Sequence, residues 1–192
     1  MARHKAFDPE AALDRAVDVF RDGGFAGTSI TDLCVALGIG RQSLYDTFGT
    51  KEDLWTLALA RYRARQTQIM LASLEADDDI VRSLAGVLAW LIDDILRDPR
   101  GCLVVTAATE RVPEDERTTA QVVEQFQAIA RTLADAIRHG QAVGQIRDDV
   151  DPVVQGRLLL TVIQGLRVVG AAEPHRKTMQ HTVDAVLAPL AA

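Results

Sequence analysis

The chain has 192 residues, 48% of them apolar, a formal net charge of −6 and only two cysteines. That length suits one ordinary domain or a small head joined to a larger body, with enough apolar side chain for a core and too little Gly and Pro for a fibrous or disordered protein. The charge argues against indiscriminate nucleic-acid binding by the whole molecule but leaves room for one contacting face, and Cys34 and Cys102, without metal-type spacing, exclude a disulfide framework.

The opening stretch, Met1 to Phe7, is polar and basic and has no apolar core of a secretory signal. The most apolar stretch, Val153 to Ala172, contains Gln155, Arg157, Gln164 and Arg167, which are costly in hydrocarbon. A soluble, cytoplasmic protein is therefore expected. No period-2 strand pattern, internal repeat or low-complexity tract interrupts a chain that reads as helix throughout.

Asp8 as N-cap and Pro9 at the first helical position open a helix to about Asp22, with Leu13, Ala16, Val17 and Phe20 on one apolar face and Gly23-Gly24 as its stop. Ser29-Ile30-Thr31-Asp32 has the form of a capping box with Asp in place of Glu, and starts a short helix carried by Ile30, Leu33, Cys34 and Leu37. Gly38-Ile39-Gly40 breaks it. A third helix covers about Arg41 to Phe48, Leu44 and Phe48 facing inward, and a longer fourth runs from Lys51 to about Leu74. Ile80 to Arg97 is amphipathic through Leu84, Val87, Leu88, Leu91, Ile92 and Ile95. Pro99-Arg100-Gly101 separates it from a shorter helix, Cys102 to about Arg111, and Pro113 begins another break. Glu116 to about Gln141 follows, with Val122, Phe126, Ile129, Leu133 and Ile137 on one face. Asp151-Pro152 starts a helix that is apolar nearly all round, and a last helix, about His175 to Leu190, carries Met179, Val183, Val186, Leu187 and Leu190. The expected fold class is all-α with about nine helices: an N-terminal three-helix head over residues 1–52 and a helical-bundle body over residues 53–192.

Two short helices joined by a Gly-containing turn, backed by a third, have the form of a helix-turn-helix, whose second member would enter a major groove; the alternative is an ordinary pair of short polar helices without DNA contact. Its residues suit that task. Arg41 can bond O6 and N7 of guanine, and Gln42 N6 and N7 of adenine. Ser43 and Thr47 can reach phosphate, a base edge or a thymine methyl. Tyr45 can place its hydroxyl on phosphate while its ring packs, or be purely structural. Lys51 can pair with phosphate as a point charge.

Gly24-Phe25-Ala26-Gly27-Thr28-Ser29-Ile30-Thr31-Asp32-Leu33, then Leu37-Gly38-Ile39-Gly40-Arg41-Gln42-Ser43-Leu44-Tyr45-Asp46-Thr47-Phe48 and Lys51-Glu52-Asp53-Leu54, resemble the DNA-binding head of the tetracycline-repressor-like (TetR/AcrR) family over residues of about 8 to 60. The resemblance implies that Thr28 and Thr31 meet phosphate or groove from the second helix, Arg41, Gln42, Ser43, Tyr45 and Thr47 from the third, and Lys51 from the fourth. It implies a repressor released from a pseudo-palindromic operator by a small molecule, with activation left open. Two positions depart from the family pattern. Gly40 stands where Ser or Thr usually caps the recognition helix, which costs only a few tenths of a kcal/mol. Asp46 stands where His is frequent; its carboxylate either accepts from cytosine N4 or points away from DNA.

The resemblance also implies a homodimer formed by the last two helices, about 152–171 and 175–190. The apolar girth of the first of these agrees, since one face can pack on its own core and the rest needs a partner; a central helix of a monomer is the alternative. Gly156, Gly165 and Gly170 permit close helix approach. An effector pocket in the body has Met70, Trp90, Cys102, Phe126 and Ile163 as candidate lining residues, with Thr106, Thr109, Glu110 and Gln164 as polar anchors. Plain core is the alternative for each, and for Cys102 a thiol-sensing role is the other. His4, His139, His175 and His181 form no metal pair with a carboxylate, and no phosphate loop or nucleophile elbow occurs, so no catalysis, metal or cofactor is expected. A helical dimer that senses a ligand without controlling DNA is the second functional reading, and a gel shift with the protein's own upstream region separates the two.

Overall fold

The structure is a computed structural model and describes residues 7–98 and 100–191. Most of the basic opening stretch with His4, and Pro99 of the expected break, lie outside the described residues. Among those described, the helices are α1 (Pro9–Gly23), α2 (Ile30–Leu37), α3 (Arg41–Phe48), α4 (Lys51–Leu74), α5 (Ile80–Arg97), α6 (Leu103–Glu110), α7 (Glu116–Ala142), α8 (Pro152–Ala172) and α9 (Arg176–Leu187), followed by a 3-10 turn, Ala188–Leu190.

The local signals account for the helix starts. Asp8 accepts from the Glu10 N–H ahead of α1, and Asp151 from the Val153 and Val154 N–H groups ahead of α8, each with Pro in the first turn. Ser29 and Asp32 close the capping box of α2. One end differs from expectation: the last stripe runs to Leu190, but α9 stops at Leu187. Pro189 has no N–H to bond one turn back, so the final residues close as a 3-10 turn.

The chain forms two compact units. One holds the described residues as far as Arg65 together with Cys102–Val122; the other holds Gln66–Gly101 together with the residues from Val123 on. In the first unit, α1 packs on both α2 and α6. Phe20, Leu33, Leu37, Leu44, Leu54, Trp55 and Leu103 are fully buried there. The Trp55 ring meets Phe20 edge-on at 5.1 Å and Phe25 at 5.5 Å. Its indole N–H donates to the Thr118 hydroxyl at 3.0 Å, so the buried donor is satisfied from the start of α7. In the sequence pattern α6 and α7 belong to the body; in the structure residues 102–122 complete the core of the head's own unit.

In the second unit, α5 packs on α8 and α9. Leu84, Leu88, Leu91 and Ile92 of α5, Ile137 of α7, Leu159 of α8 and Val183 of α9 fill its core. Gly156 lets α8 close on α7, since a Cβ there would stand 2.6 Å from the Ala130 carbonyl oxygen, whereas Gly165 faces open space. Among the described residues α8 is the one helix long and apolar enough, by length and composition, to cross a membrane. Its Val153, Val154, Leu158, Val168 and Val169 are exposed.

Candidate nucleic-acid interface

The surface of interest begins at the box that starts α2. The Ser29 hydroxyl accepts from the Asp32 N–H at 3.1 Å, while the Asp32 carboxylate accepts from the Ser29 N–H at 2.9 Å and its hydroxyl at 2.6 Å. These bonds, the hydroxyl's first, hold the Asp32 carboxyl below its ordinary value. α2 ends on Gly38, left-handed at φ 69°, whose N–H bonds back to Cys34 and Val35 carbonyls. That conformation makes the sharp turn into α3, and a side chain would strain it. Gly40 then precedes α3 without a side-chain cap.

α3 is held by two of its eight residues, Leu44 and Phe48, buried four apart on one face. Arg41, Gln42, Ser43, Tyr45 and Asp46 are exposed and Thr47 is half-buried. An anchored helix with long donors turned to solvent is what a major-groove reader requires. Gln42 is not free in solvent: its amide donates to the Asp46 carboxylate at 2.7 Å.

The other expected contact residues fall differently. Thr31 is exposed on α2. Thr28 is buried, 3% exposed, and its hydroxyl donates to the Gly24 carbonyl at 2.6 Å, so that proton serves the turn before α2. The half-buried Lys51 places its ammonium 4.2 Å from the centre of the Phe25 ring. A cation over a ring keeps its N–H donors unspent, so the charge remains available to a phosphate.

The same Phe25 reveals a contact that the sequence does not signal. Its N–H donates to the Glu110 carboxylate at 2.9 Å, and the Arg111 guanidinium lies 4.1 Å from its ring centre. Gly24, at φ 64°, leaves room for that carboxylate; a Cβ there would stand 2.2 Å from it. The C-terminal end of α6 thus clasps the turn between α1 and α2. Glu110, a candidate effector anchor by type, spends its carboxylate here.

A second tie starts α4. Thr50 and Asp53 exchange bonds in another capping arrangement, and Asp53 accepts from Arg117 at 2.8 Å. Arg117, then the Thr50 N–H and hydroxyl, lower the Asp53 carboxyl from 3.8 to about 2. A carboxyl depressed on folding stabilises the fold above its unfolded pKa, and that contribution is lost as pH falls through the folded value. The expected result is that Asp53→Asn loses stability relative to the native protein by a constant amount above about pH 5, and that the gap narrows from about pH 4 towards pH 2. Urea unfolding across that range measures it; a gap independent of pH would assign the acid limb to other groups.

The five candidate pocket residues do not line one described cavity. Met70 and Ile163 belong to the core of the second unit, with the half-buried Trp90 packed against it. Cys102 is buried in the first unit as a free thiol. Phe126 lines an open groove of about 300 Å³ with Val123, Gln127, Ala130, Arg157, Leu160 and Thr161. Of the polar anchor candidates, Thr106 donates to the carbonyl of Cys102 just ahead of α6 and Thr109 to that of Val105 within it, while the Oε1 of Gln164 is buried without a hydrogen-bond partner. Among the described residues no group of His, Cys, Asp and Glu is arranged to hold a metal ion.

Comparison with known proteins matches residues 12–56 to the bacterial regulatory proteins of the tetR family, and residues 82–186 to the tetracyclin repressor-like C-terminal domain. The HTH-type transcriptional regulator YezE of Bacillus subtilis (strain 168) is 36% identical over 143 residues, 73% of this chain and 71% of that protein. The HTH-type transcriptional repressor ComR of Escherichia coli (strain K12) is 30% identical over 169 residues, 86% of this chain and 80% of that protein. Among solved structures, a cysteine mutant of the TetR family transcriptional regulator CifR, complexed with 26bp double-strand operator DNA, superposes with a TM-score of 0.88 at 30% identity, covering 98% of this chain and all of that one.

Proposed function

The chain belongs to the tetR family of bacterial regulatory proteins and is a DNA-binding transcriptional repressor; from that premise we propose that the exposed side of α3 reads its operator in the major groove. The observation that carries this is the division of α3 itself. Leu44 and Phe48 anchor it, while Arg41, Gln42, Ser43 and Tyr45 face solvent. Thr31, Thr47 and Lys51 complete the contact set, and Thr28 shapes the turn that presents it. The DNA-binding domain expected over residues 1–52 takes the core of its unit in part from Trp55 and residues 102–122, and the rest of residues 53–192 is the effector and dimerisation domain.

Arg41→Ala tests the assignment. Loss of a two-bond guanine contact costs about 1–3 kcal/mol, so specific binding is expected to fall by roughly fivefold to over a hundredfold with an unchanged helical spectrum. Undiminished operator affinity in a gel shift with the upstream region would remove Arg41 from the reading set. Lys51→Ala differs in kind: affinity for all sequences is expected to drop about equally, and the slope of log K against log salt to fall by roughly one unit. A loss confined to one base pair would make Lys51 a base reader.

A second copy of the chain is the proposed partner of α8 and α9. Val154, Leu158, Thr161, Gly165 and Val168 are spaced i, i+4, i+7, i+11 and i+14 along the exposed side of α8. Such a face accounts for the apolar character of α8 in a cytoplasmic protein without any membrane. A two-fold dimer carries two heads, so the operator is pseudo-palindromic with half-sites about one helical turn, or a multiple, apart. The operator DNA held by the relative CifR supports that reading.

Release by an apolar or amphipathic effector in the body completes the proposal. The groove at Phe126 is in the size range of small ligands, and because it shares Thr161 with the face given to the second copy, that copy would border it. α4 and α7 each contribute residues to both units. An effector must prefer one head spacing; equal affinity for both shifts nothing. Thermal-shift screening with and without operator tests this. Compounds that stabilise the free protein and not the complex support it, and a screen without any such compound favours a constitutive repressor.

A further inference from the structure

α3 carries one interaction that its place in the family does not assign. Nε2 of Gln42 donates to Oδ1 of Asp46 at 2.7 Å. Both residues are exposed, and they stand one turn apart on the side of α3 away from Leu44 and Phe48. A carboxylate on a helix that approaches a polyanion repels phosphate and can accept only from base donors. Its presence there asks for a use.

We propose that Asp46 is a specificity-positioning residue: by engaging one N–H of Gln42, it makes that amide select adenine over guanine at one position of each operator half-site. The inference rests on α3 being the reading helix. A carboxamide has two N–H donors and one acceptor oxygen. Unrestrained, it can offer both donors to N7 and O6 of guanine, or a donor and its oxygen to N7 and N6 of adenine. An ionised carboxylate is only an acceptor, so the amide must turn its nitrogen towards Asp46. One N–H and Oε1 then remain. They match the acceptor-donor edge of adenine and leave one guanine acceptor unmet. The carboxylate charge works in the same direction, because both major-groove atoms of guanine are acceptors. In a dehydrated groove an unmet acceptor carries its full desolvation cost, which is where the discrimination arises.

The test uses the full chain and the operator it selects from a randomised double-stranded library, with every half-site position then varied singly and binding read by fluorescence anisotropy. The native protein is expected to prefer adenine at one position per half-site, and Gln42→Ala to erase that preference. Asp46→Ala is expected to cut the adenine-over-guanine ratio there by about tenfold and to leave the other positions unchanged. Asp46→Asn, whose amide oxygen can accept the same N–H, should keep most of the preference without the charge. The double variant Gln42→Ala with Asp46→Ala should match Gln42→Ala alone at that position. Since both side chains are exposed, the helical spectrum should not change in any of these variants. A base profile unaltered by Asp46→Ala, or one altered where Gln42→Ala has no effect, would overturn the positioning role and leave α3 as the reader. A native protein that selects no sequence would overturn both.

Discussion

Trp55→Ala is expected to destabilise the protein by roughly 3–5 kcal/mol, the cost typical of removing a fully buried large aromatic. Trp55 has no exposed surface, meets two aromatic rings edge-on and bonds to Thr118 through its indole N–H. The cavity would open where Phe20 of α1 and Phe25 of the following turn meet α4, beneath the helix-turn-helix. Trp55→Phe separates packing from polarity. It keeps a six-membered ring and gives up the bond to Thr118, whose own hydroxyl still donates to Asp115, together with the smaller part of the indole's volume. Its expected cost is about 1 kcal/mol. Urea denaturation of the two variants gives the ranking. An alanine variant within about 1 kcal/mol of the native protein would mean that the site collapses without penalty and that Trp55 does not hold this unit together.

The other large effect belongs to the face of α8. Leu158 and Val168 are 44% and 54% exposed, so charging them should leave the fold of one chain intact. Across a two-fold helix pair, each carboxylate would be forced against apolar surface without a partner, which an interface does not tolerate. The double variant Leu158→Glu with Val168→Glu is expected to sediment as a monomer at concentrations where the native protein is a dimer. Operator affinity should then fall by about 10²–10⁴, the gain that linking two binding modules provides, with weak half-site binding left over. A variant that still sediments as a dimer would place the interface elsewhere.

The clasp on Phe25 bears on how such a repressor could respond to its body. Glu110 and Arg111 close α6 directly onto the turn that leads into α2, and Lys51, a proposed phosphate contact, lies over the same ring. A shift of α6 would therefore act on the reading unit and on a phosphate contact through one side chain.

What the sequence by itself determined is most of what near neighbours govern, the stop of α9 ahead of Pro189 excepted. Ser29 with Asp32, Asp8 before Pro9, Asp151 before Pro152 and the glycine at position 38 act within a few residues, and the apolar stripes repeat every turn. Helix starts, the helix-turn-helix and the exposed donors of α3 were legible for that reason, and so was the apolar surplus on α8. The tertiary structure alone decided the rest. Phe25 and Glu110 are 85 residues apart, and Trp55 and Thr118 are 63 apart. No periodicity relates such positions, and pairing them depends on how α6 and the first turns of α7 fold back against α1 and α4. The same holds for Thr28, whose residue type suits a phosphate contact but whose burial spends its hydroxyl proton on Gly24. Residue type states what a side chain can bond; the packing around it decides which partner is close enough to take the bond.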